Sequence, residues 1–214
     1  MHPSRLLSGS ASSDSDLAFT KLAERVAWQG KYRTIKTIDW KLPNGKNVSY
    51  DVLTQAKEGK GSVTVFAFNR RDRTATLVRE FHPGAETLQL GTINGMFEAD
   101  KHATPLQCAQ MELEEEAQLR CSDDGHWIPL YDTATRGICM DKYSDNFVRP
   151  FLALDAEHVP DARPPDDTEF ISVVDGLGYD DVMRLVRRGE INVASSHCVL
   201  LAYRKLEDMG IPYR

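Results

Sequence analysis

"AQMELEEEAQL", residues 109–119, sets four glutamates, Glu112, Glu114, Glu115 and Glu116, within five positions. Pro105 suits the first turn of a helix. Leu106, Ala109, Leu113 and Ala117 then recur at helical spacing, so residues 105–119 predict a helix with one apolar face. On that helix Glu112, Glu115 and Glu116 stand at i, i+3 and i+4 and project to one side. Like charges so placed cost about 0.2–0.5 kcal/mol per pair. With Leu113 and the alanines anchoring the opposite side, the acids are expected to face a groove or solvent. Two readings stand. The acids form a solvated face, or they are oxygen donors for a hard divalent cation such as Mg²⁺, which then clamps phosphate groups.

Outward from the helix the chain alternates strand and turn signals. "LAFTKLAERVAW" (17–28) carries Leu17, Leu22 and Val26 near helical spacing, with Ser13 and Asp14 as caps, and predicts a helix closed by Gly30. "KYRTIKTIDWKLPNGKNVSYDVLT" predicts two strands around Asn44-Gly45, a strong hairpin signal. "GSVTVFAFNRRDRTATLVREF" reads as a second hairpin, and "ETLQLGTINGMFE" as short strands and glycine loops. "WIPLYDTA", "NFVRPFLALD" and "EFISVVD" predict strands, with the acidic, proline-rich "EHVPDARPPDD" as a loop. Two late helices follow, closed by Gly189 and Gly210. The fold class is α+β.

The chain has 214 residues, 41% hydrophobic and 27% charged, enough for one globular domain with a small appendage. Residues 1–16, "MHPSRLLSGSASSDSD", read as a disordered tail, with an organellar presequence as the second reading. Residues 17–60 form an N-terminal extension and residues 61–214 the main domain. A net charge of -6 argues against nucleic acid as a partner. No run of eighteen apolar residues exists, so no membrane span is expected. Cys108, Cys121, Cys139 and Cys198 show no metal spacing and predict buried, reduced thiols in a cytoplasmic protein.

The glutamate stretch resembles the second half of the Nudix hydrolase signature, matching it at Glu112, Leu113, Glu115, Glu116 and Leu119. Met111 stands where the signature has arginine, and Gln118 where it has glycine. With Gly95 as the loop glycine, about two extra residues precede the helix, and Glu98 is the nearest acid for the first signature glutamate. Other segments are similar to the ADP-sugar pyrophosphatase branch in the same order along residues 24–209. They are the N-terminal hairpin, "LVREFHPG", "CMDKYSDNF" and "DDTEFISVVDGLGYDDVMRLVRRGEI".

The resemblance implies an α/β/α sandwich around a mixed sheet, with an N-terminal β-hairpin extension. It implies Mg²⁺-dependent hydrolysis, Mn²⁺ substituting, of the diphosphate in a nucleoside diphosphate sugar. Glu112, Glu115 and Glu116 would hold the metal, with Glu115 and Glu116 counted in the catalytic set. Glu169 would be the base, with Asp167 in reserve, although a solvated loop acid is the other reading of Glu169. Tyr32 and Tyr50 match nucleobase-stacking positions or simply pack the hairpin. Arg79 and His82 end a strand where phosphate contacts are made, and Arg79 is otherwise a surface charge. The hairpin implies a homodimer. Met111 cannot aim the glutamates as arginine would, which leaves that task to metal or to a cation such as Arg136 or Lys101. Gln118 is expected to let the helix run on toward Arg120. The alternative is a weakened Nudix-fold protein that binds or senses nucleotide sugars without turnover.

Overall fold

A computed structural model describes residues 18–55, 61–162 and 170–214. The N-terminal tail, with Ser13, Asp14 and Leu17, lies outside the described residues. The chain divides near residue 56 into two units, the first of which also takes Tyr143–Asp145.

The first unit is an antiparallel sheet of three strands, β1 (Thr20–Gln29), β2 (Arg33–Lys41) and β3 (Asn47–Gln55), in the order β1-β2-β3. The hairpin at Asn44-Gly45 forms as the sequence predicts. Gly45 has φ +83°, and the Asn44 side chain accepts from the Lys46 amide at 3.1 Å. The helix expected over 17–28 is instead β1. Its Thr20 pairs with Lys41 and its Gln29 with Thr34, so the backbone groups along one side of it are taken up by β2. Irregularities at Lys21/Ala23 and Val26/Trp28 break the two-residue alternation that would have marked it as a strand. Tyr143–Asp145 docks beside β3, where the Leu53 amide donates to Tyr143 O and the Asp145 amide to Leu53 O, at 2.8 and 3.1 Å.

The second unit follows the order β4 (Ser62–Asn69), β5 (Thr74–His82), β6 (Thr87–Gly91), β7 (Ile93–Met96), α1 (Pro105–Ala117), β8 (Leu119–Arg120), β9 (Trp127–Pro129), β10 (Ile138–Cys139), β11 (Phe147–Leu154), β12 (Glu157–His158), β13 (Ser172–Leu177), α2 (Tyr179–Arg188), α3 (Val193–Asp208). Its main sheet runs β10-β11-β4-β5-β13, with β6 on β5, β7 on β4 and β9 on β11. The β11–β4 pair is parallel and the others are antiparallel, so the sheet is mixed. "WIPLYDTA" contributes only the short β9.

Helices cover both faces of this sheet. Val63, Val65 and Ala67 of β4 pack with Cys108, Ala109 and Leu113 of α1. Phe66 and Phe68, one residue out of phase, pack with Cys198, Val199 and Ala202 of α3 and Val182 of α2. The α+β class and the sandwich expected from the sequence are thus present. Burial on both faces explains why β4 and β11 read as continuous apolar runs rather than as alternating ones.

Helix α1 begins where the sequence places it, with Thr104 as N-cap accepting from the Gln107 amide and Pro105 in the first turn. It does not run on toward Arg120. Gln118 takes the left-handed conformation, φ 55° and ψ 34°, and its amide closes on Glu114 O and Leu113 O. Gln118 therefore makes the helix stop that a glycine makes elsewhere, with a side-chain penalty glycine lacks.

Cys108, Cys121 and Cys198 are buried, as expected, but Cys139 is exposed because it lies on the short strand β10. Burial pushes all three enclosed thiols up to about 12. None of the described helices is long and apolar enough to cross a membrane.

Gln118→Gly should stabilise the protein. Its exposed side chain leaves only the left-handed penalty, about 1 kcal/mol after the unfolded-state entropy of glycine is counted. A thermal melt should rise by roughly 2–4 °C. A thiol reagent at neutral pH should label Cys139 alone in the native protein, and all four cysteines after denaturation. Fast native labelling of a second thiol would contradict the packing around α1 and α3.

Candidate active site

The glutamates of α1 meet the chain at β7. Among the described strands β7 pairs only with β4, through Val65↔Ile93, Thr64↔Asn94, Val63↔Gly95 and Ser62↔Met96. Its outer edge has main-chain groups that no strand takes up. The Asn94 amide donates to Glu116 Oε2 at 3.0 Å. Gly95 lies under the Glu112 side chain, and a Cβ there would stand 2.0 Å from the Glu112 carboxyl carbon and Oε1. Only glycine permits this approach, so the loop glycine singled out in the sequence has a steric role beside Glu112.

Glu116 is 9% exposed and belongs to the buried residues of α1 with Ala109, Leu113 and Ala117. Of the groove or solvent expected for the acids, Glu116 does not take solvent: it sits at the border of the core face, and the β7 edge answers its charge. Glu112 and Glu115 are half-buried. Glu114, the fourth acid, turns elsewhere and pairs with Arg120 at 2.8 Å.

Glu98, the candidate for the first signature glutamate, is buried and pairs with Lys101 at 2.9 Å. Its amide donates to His102 Nδ1 at 3.2 Å, which folds the loop before α1 back on itself. Glu98 raises the Lys101 pKa first through that side-chain pairing and then through its charge, with Asp100 and Glu112 adding smaller contributions. Of the α1 acids, Lys101 thus feels Glu112, whereas Arg136 sits over the Phe147 ring at 5.3 Å. Met111 faces away from β7. It lines a surface cavity of about 350 Å³ with Gln107, Gln110, Glu114 and Arg120.

A buried hydroxyl chain backs β7 from the other side of the sheet. Thr64 Oγ1 and Thr92 Oγ1 are 2.5 Å apart, and Thr92 Oγ1 donates to Ser195 Oγ at 2.9 Å. Ser195 N donates to Asn192 Oδ1, the N-cap of α3, at 2.9 Å, and the Asn94 side-chain amide donates to Thr92 O. Strand β7 is thus tied to the start of α3 while its edge holds Glu116.

The other candidates lie elsewhere. Arg79 and His82 are on β5, opposite Leu90 and Thr87 of β6. Arg79 shares its side of the strand with Leu77, which packs in the α2–α3 core, and it lines a cleft of about 380 Å³ with Thr87–Leu90, Gly189 and Glu190. Tyr32 and Tyr50 belong to the first unit. Tyr32 is 59% exposed with Lys31 Nζ 4.6 Å from its ring centre, and Tyr50 packs on Tyr143 at 6.2 Å. Glu169 and Asp167 lie outside the described residues.

The donor set around β7 is carboxylate oxygen, the kind a hard divalent cation takes. Among the described residues no three His, Cys, Asp or Glu groups are gathered closely enough to hold an ion. Arg149 belongs to no sequence motif. It is the single charge in the apolar run of β11, and that isolation is the one signal by which the sequence marks it.

No protein-family model matches the chain, and no curated protein matches it. Among solved structures the chain is similar to the crystal structure of an ADP compounds hydrolase, with a TM-score of 0.72 and 20% sequence identity. The match covers 91% of this chain and 97% of that one. At that identity the likeness is one of fold, and the fold of this chain is Nudix-like.

Proposed function

We propose that the protein hydrolyses the diphosphate bond of a nucleoside diphosphate sugar, giving a nucleoside monophosphate and a sugar phosphate. The observation that carries this reading is the seating of Glu112 and Glu116 on adjacent residues of one strand edge, Gly95 and Asn94. The Nudix-like fold supports it. Glu112, Glu115 and Glu116 would hold Mg²⁺ or Mn²⁺, which when bound offsets the diphosphate charge and lowers the pKa of water. The protein's own part is to seat two of these acids on β7, with the Asn94 amide fixing Glu116 and the bare face of Gly95 admitting Glu112.

In this proposal Glu169 takes the proton of the attacking water, with Asp167 in reserve, and His82 contacts phosphate, while Arg79, which faces the α2–α3 side of the sheet, is left out of the site. Tyr32 and Tyr50 stack on the nucleobase, an interaction of about 1–3 kcal/mol. A homodimer formed through the N-terminal sheet belongs to the same reading. Its support is β1, which exposes Leu22, Val26 and Trp28 on an otherwise solvent-facing strand.

A second reading, binding without turnover, is favoured by Met111, which leaves the helix without its own aiming cation. Calorimetry with ADP-ribose separates the two, since tight binding without product supports the sensor. Gln118 gives that reading no support, because the helix ends there as it would at glycine.

The purified protein with Mg²⁺ or Mn²⁺ should turn over at least one of ADP-ribose, ADP-glucose, UDP-glucose and NADH. Glu116→Gln should lower the rate by roughly 100-fold or more. An inert panel, or full activity in that variant, would remove the hydrolase reading. Val26→Asp should convert a sedimenting dimer to a monomer, and a wild-type monomer at micromolar concentration would end the dimer proposal.

A further inference from the structure

We propose that Arg149 is a positioning residue that replaces the arginine missing from position 111, reaching from β11 across the sheet to the carboxylates of α1. The inference rests on the hydrolase reading for its purpose and on the following geometry for its substance.

Strand pairing sets Arg149 beside Val63, and Val63 beside Gly95. Residues in one row of a sheet point to the same face, so Arg149 shares the α1 side with Val63 and Gly95. Two strand spacings separate Arg149 from Gly95, about 10 Å. The side chain extends over the start of β4, where a Cβ on Gly61 would stand 3.4 Å from its guanidinium carbon, and that carbon lies 5.4 Å from the centre of the Phe97 ring, which follows β7 in the chain. Phe97 is two residues beyond Gly95, where Glu112 sits.

The path of the side chain is cleared by two glycines. A Cβ on Gly61 would stand 2.7 Å from Arg149 Nη1, and one on Gly137 3.0 Å from Arg149 Cγ. Both glycines have left-handed backbones, φ +121° and +116°, which other residues rarely take. The fold thus makes room for this side chain at either end. Its charge is felt at the Cys108 thiol, one turn before Glu112, together with the opposing charges of Glu112, Glu115 and Glu98. Arg149, Glu112, Glu115 and Glu98 thus all lie within electrostatic range of Cys108.

A planar guanidinium with five donors suits several carboxylates at once, which a single ammonium does not. At position 111 an arginine would face the cavity that holds Glu114 and Arg120. Coming from β11 instead, the cation enters on the β7 side, where Glu112 lies.

The test is a double-mutant cycle on urea unfolding of the full chain in chelator, without nucleotide. Arg149→Met should lower the midpoint clearly, and in a Glu112→Gln/Glu115→Gln background the same change should lower it by less than half as much. Equal losses in both backgrounds would mean that Arg149 only packs, and would overturn the inference. Should Arg149→Met fail to fold, Arg149→Lys is run through the same cycle under the same criterion. Manganese titration of the wild type by electron paramagnetic resonance reads the hydrolase proposal separately. Absent binding would overturn that proposal and leave the outcome of the cycle on Arg149 unaffected.

Discussion

Helix α1 must bury one face against β4 and still hold acids beside that face. Leu113 and Ala109 are fully enclosed, and Glu116 lies among the same buried residues three positions further on. A carboxylate so placed loses most of its water and needs other partners, since an unanswered charge at the border of a core would cost several kcal/mol. The edge of β7 supplies one in the Asn94 amide. This requirement fixes much else: β7 must stay short of a second strand neighbour, and Gly95 must lack a side chain. The Thr64–Thr92–Ser195 hydroxyls hold the strand from behind.

The two departures in the helix differ in kind. Gln118 departs in residue type and not in backbone conformation, so the helix ends on time. Met111 departs in chemistry, but its position opens onto a cavity on the far side from β7. A cation entering from β11 meets the acids from a direction the helix alone could not provide.

Much of this was legible in the residues. Thr104-Pro105 and the apolar spacing marked α1, Asn44-Gly45 marked the hairpin, and Gly189 and Gly210 marked the ends of the last helices within one and two residues. Strand β1 was not legible, because its ten residues are all exposed and two irregularities disturb its alternation. Nothing in Leu17, Leu22 and Val26 distinguishes a loosely spaced helix face from a bulged strand. Gln118 misled because a left-handed residue other than glycine, asparagine or aspartate carries no local signal. The partnership of Glu116 with Asn94 joins residues set 22 apart by the sheet, and no spacing rule reports that distance.

The pairing of β11 with β4 has a consequence for assembly. The two strands at the centre of the sheet are parallel, with Val148 opposite Ser62 and Leu154 opposite Phe68. During synthesis β4 and β5 can close their hairpin early, yet β4 waits with one long apolar edge open until the chain has emerged as far as Leu154. Non-local parallel pairing is slow because the loop entropy is lost before any contact repays it. The nascent chain therefore passes through a stage in which its most apolar strand is half-paired, and that interval is when it is most exposed to aggregation.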